Sequence, residues 1–336
     1  MRSARLRARP FFVCLQLSGR SSLISAWQNA FLIYNPLAGK FNRESSRLLQ
    51  RTIDALAAQG HRVTAMPTRG PWTAGAIATE CVAAGADLVI AAGGDGTVNE
   101  VANGIIGTDV PMAILPGGTA NVLSVELGLG TRLVSAARRL SEMVPARIAA
   151  GRLETTSGSR YFLTMAGIGF DAMIVHHVDP ELKQRLGRAA YWVSGFSQLG
   201  RPLPQIDVRV NGSEKRCSFA LASRVRNYGG DLWIARGASL FSEQFEVVLF
   251  EGTSSLPYLG YLFAILVGRL KGMDGVSVMH ANLIELNARE GEEIYVQVDG
   301  EPGGKLPATV SIVPSAVTLM VPPTFRDRHS RTTNHG

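Results

Sequence analysis

Apolar runs of five or six residues alternate with amphipathic stretches through the first third of the chain. The runs at 30–34, 61–66, 87–92 and 111–115 predict strands. Between the first two, Leu48, Leu49, Ile53, Leu56 and Ala57 fall on one helical face, which predicts a helix over 43–59 stopped by Gly60. The same reading predicts helices over 74–84, 98–106, 120–127 and 133–143. Short, wholly apolar strands separated by helices imply a doubly wound parallel α/β sheet covered on both faces. Right-handed crossovers then bring the strand C-termini to one edge, where such sheets hold ligands.

After about residue 147 the rhythm changes. Short strands are predicted at 152–155, 161–166, 206–210, 218–223, 245–251, 283–287, 293–298, 308–313 and 317–321, with turns between them. Helical stretches at 180–199 and 257–270 interrupt them, the second apolar nearly all round. The expectation is an antiparallel β-sandwich-like domain. The organisation expected is therefore a non-structural extension over 1–29 and a nucleotide-binding α/β domain over 30–147, to which 314–323 returns. A β-rich domain over 148–313 and a disordered tail over 324–336 complete it. No apolar run reaches the ~20 residues of a membrane-spanning helix.

At 336 residues the chain suits two domains, and 46% hydrophobic with 18% charged residues is a globular composition. The formal charge is +7. Arg2, Arg5, Arg7, Arg9 and Arg20 face no acid in the first thirty residues, and Arg326, Arg328 and Arg331 face only Asp327 at the other end. Residues 31–323 sum to zero, so no basic groove is built into the folded part and nucleic acid is excluded as a partner. Cys14, Cys81 and Cys217 share no metal-like spacing, which excludes a zinc ribbon or a disulfide framework.

The chemistry concentrates in three strand-to-helix loops. In 91–100, Gly93, Gly94 and Gly96 strip away Cβ atoms so that main-chain N–H groups can approach phosphate oxygens, and a helix expected from about Thr97 aims its positive end at the same point. Asp95 suits a divalent cation or a phosphate-linked water, while Thr97 and Asn99 offer neutral hydrogen bonds. The segment Asn35, Pro36, Leu37, Ala38, Gly39, Lys40 follows the first strand, and Pro116, Gly117, Gly118, Thr119, Ala120, Asn121 follow the fourth. Neither is a P-loop: the spacing before Gly39 and Lys40 is wrong, and Phe41 stands where a Ser or Thr is needed. The run Val298, Asp299, Gly300, Glu301 reads as a hairpin turn, Asp-Gly being a strong turn signal.

The segments GGDGTVNEVANG at 93–104, PGGTANVL at 116–123, FLTMAGIGFDA at 162–172 and QVDGE at 297–301, in that order, resemble the diacylglycerol kinase catalytic family, which includes sphingosine and ceramide kinases. The resemblance runs from about Phe31 to Pro322. It implies a two-domain NAD kinase-like fold and an ATP- and Mg²⁺-dependent phosphoryl transfer to a lipid alcohol, diacylglycerol giving phosphatidic acid. It further implies that Asn35, Pro36, Ala38, Gly39, Lys40, Thr68, Gly93, Gly94, Asp95, Gly96, Thr97, Val98, Asn99 and Thr119 surround ATP. By the same resemblance Asp95 meets the metal carried with ATP, and Glu301 accepts the proton of the lipid hydroxyl.

Relatives also carry an accessory magnesium at an L-x-D-G-x-L segment. The carbonyls of Ser239 and Gln244 remain here, but Ser242 stands where the Asp is expected. A cytoplasmic enzyme working peripherally at the inner face of the membrane is expected, with a homodimer as an allowed assembly. The alternatives carried are a sphingosine- or ceramide-type kinase, an NAD kinase sharing the first loop, and a non-catalytic nucleotide- or lipid-binding protein. Gly167-Ile168-Gly169 mimics a dinucleotide fingerprint but lacks a βαβ unit, so a close backbone approach is the better reading. The adjacent His176 and His177 diverge on a helix and suit no shared metal. Arg224, Arg226 and Asn227 are expected either at a head group or phosphate, or on a solvated strand edge.

Overall fold

The computed structural model describes residues 27–38, 45–170, 172–173, 203–229 and 232–330. The predicted helix over 180–199, the pair His176 and His177, and Gly39 and Lys40 lie outside them.

In chain order the first lobe comprises β1 (Ala30–Tyr34), α1 (Ser45–Ala57), β2 (Val63–Pro67), α2 (Ala74–Ala83), β3 (Leu88–Gly93), α3 (Asp95–Ile105), β4 (Met112–Pro116), α4 (Val122–Glu126) and α5 (Leu133–Ala137). The second continues with β5 (Val144–Thr155), β6 (Gly158–Phe162), β7 (Met165–Gly169), β8 (Ile206–Val210), β9 (Ser213–Cys217), β10 (Phe219–Ser223), β11 (Asn227–Tyr228), β12 (Leu232–Trp233) and β13 (Phe245–Phe250). It closes with α6 (Pro257–Leu266), β14 (Val276–Ala281), β15 (Leu283–Ala288), β16 (Tyr295–Val298), β17 (Glu301–Lys305), β18 (Ala308–Val321) and α7 (Pro323–Ser330).

Strands β2-β1-β3-β4 pair in parallel, as wholly apolar runs between helices require. Every residue of β3 is buried, with Leu88, Val89 and Ile90 contributing ~1.5–3 kcal/mol each. The sheet does not stop at β4. Leu319 of β18 pairs with Met112, and β18 then runs antiparallel to β5 and to β15, which leads to β8 and β9. One 10-stranded sheet therefore serves both lobes. A six-stranded antiparallel sheet, β14-β13-β10-β7-β16-β17, packs over its second half. Leu153, Phe162, Val208, Val247, Ile284 and Val310 fill the space between them. The mixed α/β sheet and the separate antiparallel sheet are the expected fold class.

Several boundaries differ from the sequence reading. The division at 147/148 falls inside β5, which begins at Val144. The strand expected over 161–166 is two strands with a turn at 163–164. The runs 308–313 and 317–321 are one strand, broken only in register between Val313 and Val317. Strands β9 and β14 went unread: β9 is SEKRC, too polar to signal burial, and pairs at the sheet edge. The tail is not disordered from 324. Pro323 opens α7, and Phe325, 1% exposed, packs 5.9 Å from the Phe241 ring. Nor are 27–29 outside the fold, since the Gln28 and Asn29 N–H groups donate to the Asp87 carboxylate.

Candidate active site

Because β1 to β4 run parallel, their C-terminal ends share one edge, from which 35–38, Thr68, 93–97 and 117–119 project. The main chain ties them together. The Asn35 N–H donates to the Ala92 carbonyl (3.2 Å), and Thr68 to Tyr34 (2.9 Å). Gly117 and Gly118 both donate to Gly93, at 2.8 and 3.2 Å. Gly94 and Gly118 meet backbone to backbone: a Cβ on Gly118 would stand 2.4 Å from the Gly94 Cα. No side chain fits between these loops.

Helix α3 starts at Asp95, two residues earlier than its sequence pattern suggests, with Gly94 as a cap that offers no side chain. Its first-turn N–H groups and positive end thus face the loop mouth. Asp95 Oδ1 accepts from the Val122 N–H (2.7 Å), and the Asn121 N–H also donates to the carboxylate, so Asp95 joins the two glycine loops. Burial, and then the negative Asp299, push the Asp95 carboxyl up to about 6.

The remaining residues expected around a nucleotide divide. Thr119 is exposed at the loop tip, and Asn35 Oδ1 accepts from the Leu37 N–H (2.9 Å). Pro36 and Ala38 are half-buried beside it. The Thr97 side chain folds back over Gly93. Val98 packs into the core, so only its main chain is available to a phosphate. Asn99 is 1% exposed and accepts from Asn103 Nδ2 (2.8 Å), which in turn donates to the Tyr161 carbonyl.

The second lobe delivers one hairpin to this edge. Asp299 and Gly300 have φ of +50° and +80°, the paired positive values of a primed two-residue turn, which Asp-Gly supplies. The Asp299 carboxylate accepts from the N–H groups of Leu163 (2.9 Å), Thr164 (3.0 Å) and Met165 (3.0 Å) and from the Thr164 hydroxyl. Gln297 Oε1 accepts from the Gly300 N–H (2.8 Å). With the turn so fixed, the carboxylate of Glu301 lies over the first turn of α3: Oε1 is 3.1 Å from where a Cβ on Gly96 would stand. Residues 95, 96 and 301 therefore share one crevice.

Sequence reasoning missed two further groups. Arg160 of β6 stacks over Trp72, 4.4 Å from the ring centroid, and is drawn by Asp299, Glu301 and Glu100. Burial lowers its pKa, and its Nη2 has no partner among the described residues. Glu126 of α4, its side chain 2% exposed, accepts from Arg226 Nε (2.8 Å), the Arg226 N–H and Asn227 Nδ2. Arg226 and Asn227 thus clasp the two lobes, Asn227 buried and the Arg226 side chain still 28% exposed. A lone acid in an otherwise apolar helix was the available signal for Glu126.

Residues 29–153 match the diacylglycerol kinase catalytic domain, and residues 164–321 match the YegS C-terminal NAD kinase beta sandwich-like domain. A diacylglycerol kinase of Mycobacterium tuberculosis (strain CDC 1551 / Oshkosh) is 30% identical over 247 residues, 72% of this chain and 79% of the relative. This chain belongs to the diacylglycerol kinase family. By class it is a lipid kinase. A diacylglycerol kinase of Bacillus subtilis (strain 168) is 27% identical over 288 residues, 83% of this chain and 92% of the relative. The crystal structure of a diacylglycerol kinase from Bacillus anthracis strain Sterne superposes with a TM-score of 0.71 at 22% identity. It covers 89% of this chain and 99% of its own, and shows the shared fold.

In this kinase the segment matching the accessory magnesium site is occupied otherwise. The Ser239 carbonyl accepts from the Ser242 N–H (3.1 Å), and Ser242 Oγ accepts from the Gln244 N–H (3.0 Å). The Leu240 and Ser242 carbonyls turn to Arg224, which is fully buried and on no solvated edge. Gly167 and Gly169 lie in β7, where a Cβ on Gly169 would stand 2.5 Å from the Ser218 carbonyl oxygen; this is a close approach of two strands.

Proposed function

We propose that this kinase transfers the γ-phosphate of ATP to the hydroxyl of a lipid alcohol, with diacylglycerol yielding phosphatidic acid as the leading substrate. The observation that carries the reading is the Glu301 carboxylate resting on Gly96, at the N-terminal turn of α3. Phosphates held by the N–H groups of 94–97 and of Thr119 would present the γ-phosphorus beneath that carboxylate. Glu301 takes the hydroxyl proton as the oxygen attacks in line, and the bond to the departing diphosphate oxygen breaks. Arg160, drawn by Glu301, has an Nη2 with no partner among the described residues, suited to a phosphate oxygen.

A magnesium ion arriving with ATP would neutralise charge across the β- and γ-phosphates, and Asp95 is the carboxylate at hand to hold it. The fit is favourable in kind, since burial first and then the negative Asp299 push the carboxyl up, and a cation would offset both.

The substrate is a component of a bilayer, and α6 supports peripheral docking. Leu256, Leu259, Phe263, Leu266 and Val267, all exposed, recur at three- and four-residue spacing along one outward face. Exposed Arg269 and Lys271 follow it, suited to anionic head groups. No helix among the described residues is long and apolar enough to cross a membrane.

The test is labelled ATP with magnesium against a panel of diacylglycerol, ceramide, sphingosine and NAD. Labelled phosphatidic acid supports the reading; phosphorylated NAD with no labelled lipid overturns it.

A further inference from the structure

Among the described residues Arg224 is the bulkiest side chain withdrawn from solvent, at 0% exposure, and no step of phosphoryl transfer uses it. A buried guanidinium is costly unless oxygen atoms face it. They do here. Nη1 donates to the Ser242 carbonyl (3.2 Å) and Nη2 to the Leu240 carbonyl (2.5 Å). Its own N–H donates to the Thr164 carbonyl (2.8 Å), and Thr164 is one of the residues that grip the Asp299 carboxylate. Asp299 is the charge that attracts the guanidinium. Burial lowers its pKa only to about 10, so the group stays a cation at neutral pH.

A divalent ion does not fit this place. Magnesium or calcium needs several oxygen ligands and ordinarily a carboxylate. Ser242 brings none, and among the described residues no group of three His, Cys, Asp or Glu side chains could hold a metal. Of the carbonyls the relatives' site would use, that of Ser239 already accepts from the Ser242 N–H, and the neighbouring Leu240 and Ser242 carbonyls point at a permanent positive charge.

We propose that Arg224 is a built-in cation serving the segment at which relatives use an accessory metal. It ties the 238–244 segment to the 163–165 turn and offsets Asp299, so the second lobe needs no divalent ion of its own. Arg224 is a positioning residue: it acts through Asp299 on the hairpin that carries Glu301. This last link rests on the kinase reading above, whereas the metal claim does not.

The first experiment follows the thermal midpoint of the nucleotide-free protein in EDTA and through a calcium titration. Wild type is expected to keep one midpoint throughout. The double variant Arg224→Asn, Ser242→Asp is expected to be destabilised in EDTA and to recover several degrees with saturable calcium. Calcium stabilising wild type as strongly as the double variant, or EDTA lowering the wild-type midpoint, overturns the proposal. The second experiment compares kcat and the KM for ATP. Arg224→Met is expected to lower kcat roughly tenfold or more at little changed KM, with Arg224→Lys recovering much of it. Full kcat in Arg224→Met overturns the positioning role. Should that variant not fold, wild-type indifference to EDTA and the Arg224→Lys rate still decide. Failure of all lipid phosphorylation would strike the kinase reading and leave the metal result standing.

Discussion

Asp95 joins the two glycine loops through the Val122 N–H and faces the charge of Asp299, and these roles oppose one another. In the fold its carboxyl titrates at about 6 against an ordinary 3.8, so the folded protein holds this proton more tightly than the unfolded chain. The stability it lends is full below pH ~4 and is lost as the pH rises through ~6, on the order of 3 kcal/mol. Asp95→Asn keeps an oxygen for Val122 but cannot ionise. Denaturant titrations from pH 4 to 7 should show that slope in wild type and its disappearance in the variant; an unchanged slope would place its origin elsewhere. Much of this residue-level picture was legible. Gly93, Gly94 and Gly96 were readable as one phosphate-type loop, because a glycine cluster is a local signal; Asp299-Gly300 was readable only as a turn, and Glu301 entered through the family resemblance. Arg160, Glu126 and the grip of 163–165 on Asp299 were not, since each pairs groups far apart in the chain, and no local pattern encodes such partners.

Among the elements, the glycine loops tolerate least. A methyl on Gly118 would press the Gly94 main chain at 2.4 Å, and backbone cannot swing aside. Gly118→Ala should destabilise by about 1–3 kcal/mol and weaken ATP binding, read by denaturation and calorimetry. An unchanged ATP affinity would mean that the two loops do not act together. On α6, Leu259→Ser with Phe263→Ser and Leu266→Ser should leave the fold intact and abolish most sedimentation with anionic vesicles; undiminished sedimentation would remove α6 from the docking surface. The strands of the first lobe announced themselves as buried apolar runs. Polar β9 gave no such signal, and α7 follows Pro323 in a charged stretch where only Phe325 hints at packing.

For the whole molecule, β18 is the common member: it pairs with β4 in one lobe and with β5 and β15 in the other. The Glu126–Arg226 clasp closes the lobes on the other side, and Glu126 is buried. Arg226→Ala leaves that carboxylate short of its partner and should cost about 2–3 kcal/mol in denaturant unfolding, with Glu126→Gln in the same chain restoring part of it. No restoration would show that Arg226 acts by packing alone. One sheet shared by both lobes was not readable, because sheet membership is settled by pairing across the chain and both halves of β18 look like ordinary strands. What the shared sheet accomplishes is to set a hairpin from one lobe against a phosphate loop from the other, so the account stands on the meeting of Glu301 with Gly96. Its most direct test is the rate of lipid phosphorylation by Glu301→Gln beside its thermal midpoint and its ATP affinity. The rate should fall by about 10²–10⁴ with the other two unchanged; a variant that phosphorylates lipid as fast as wild type would contradict it.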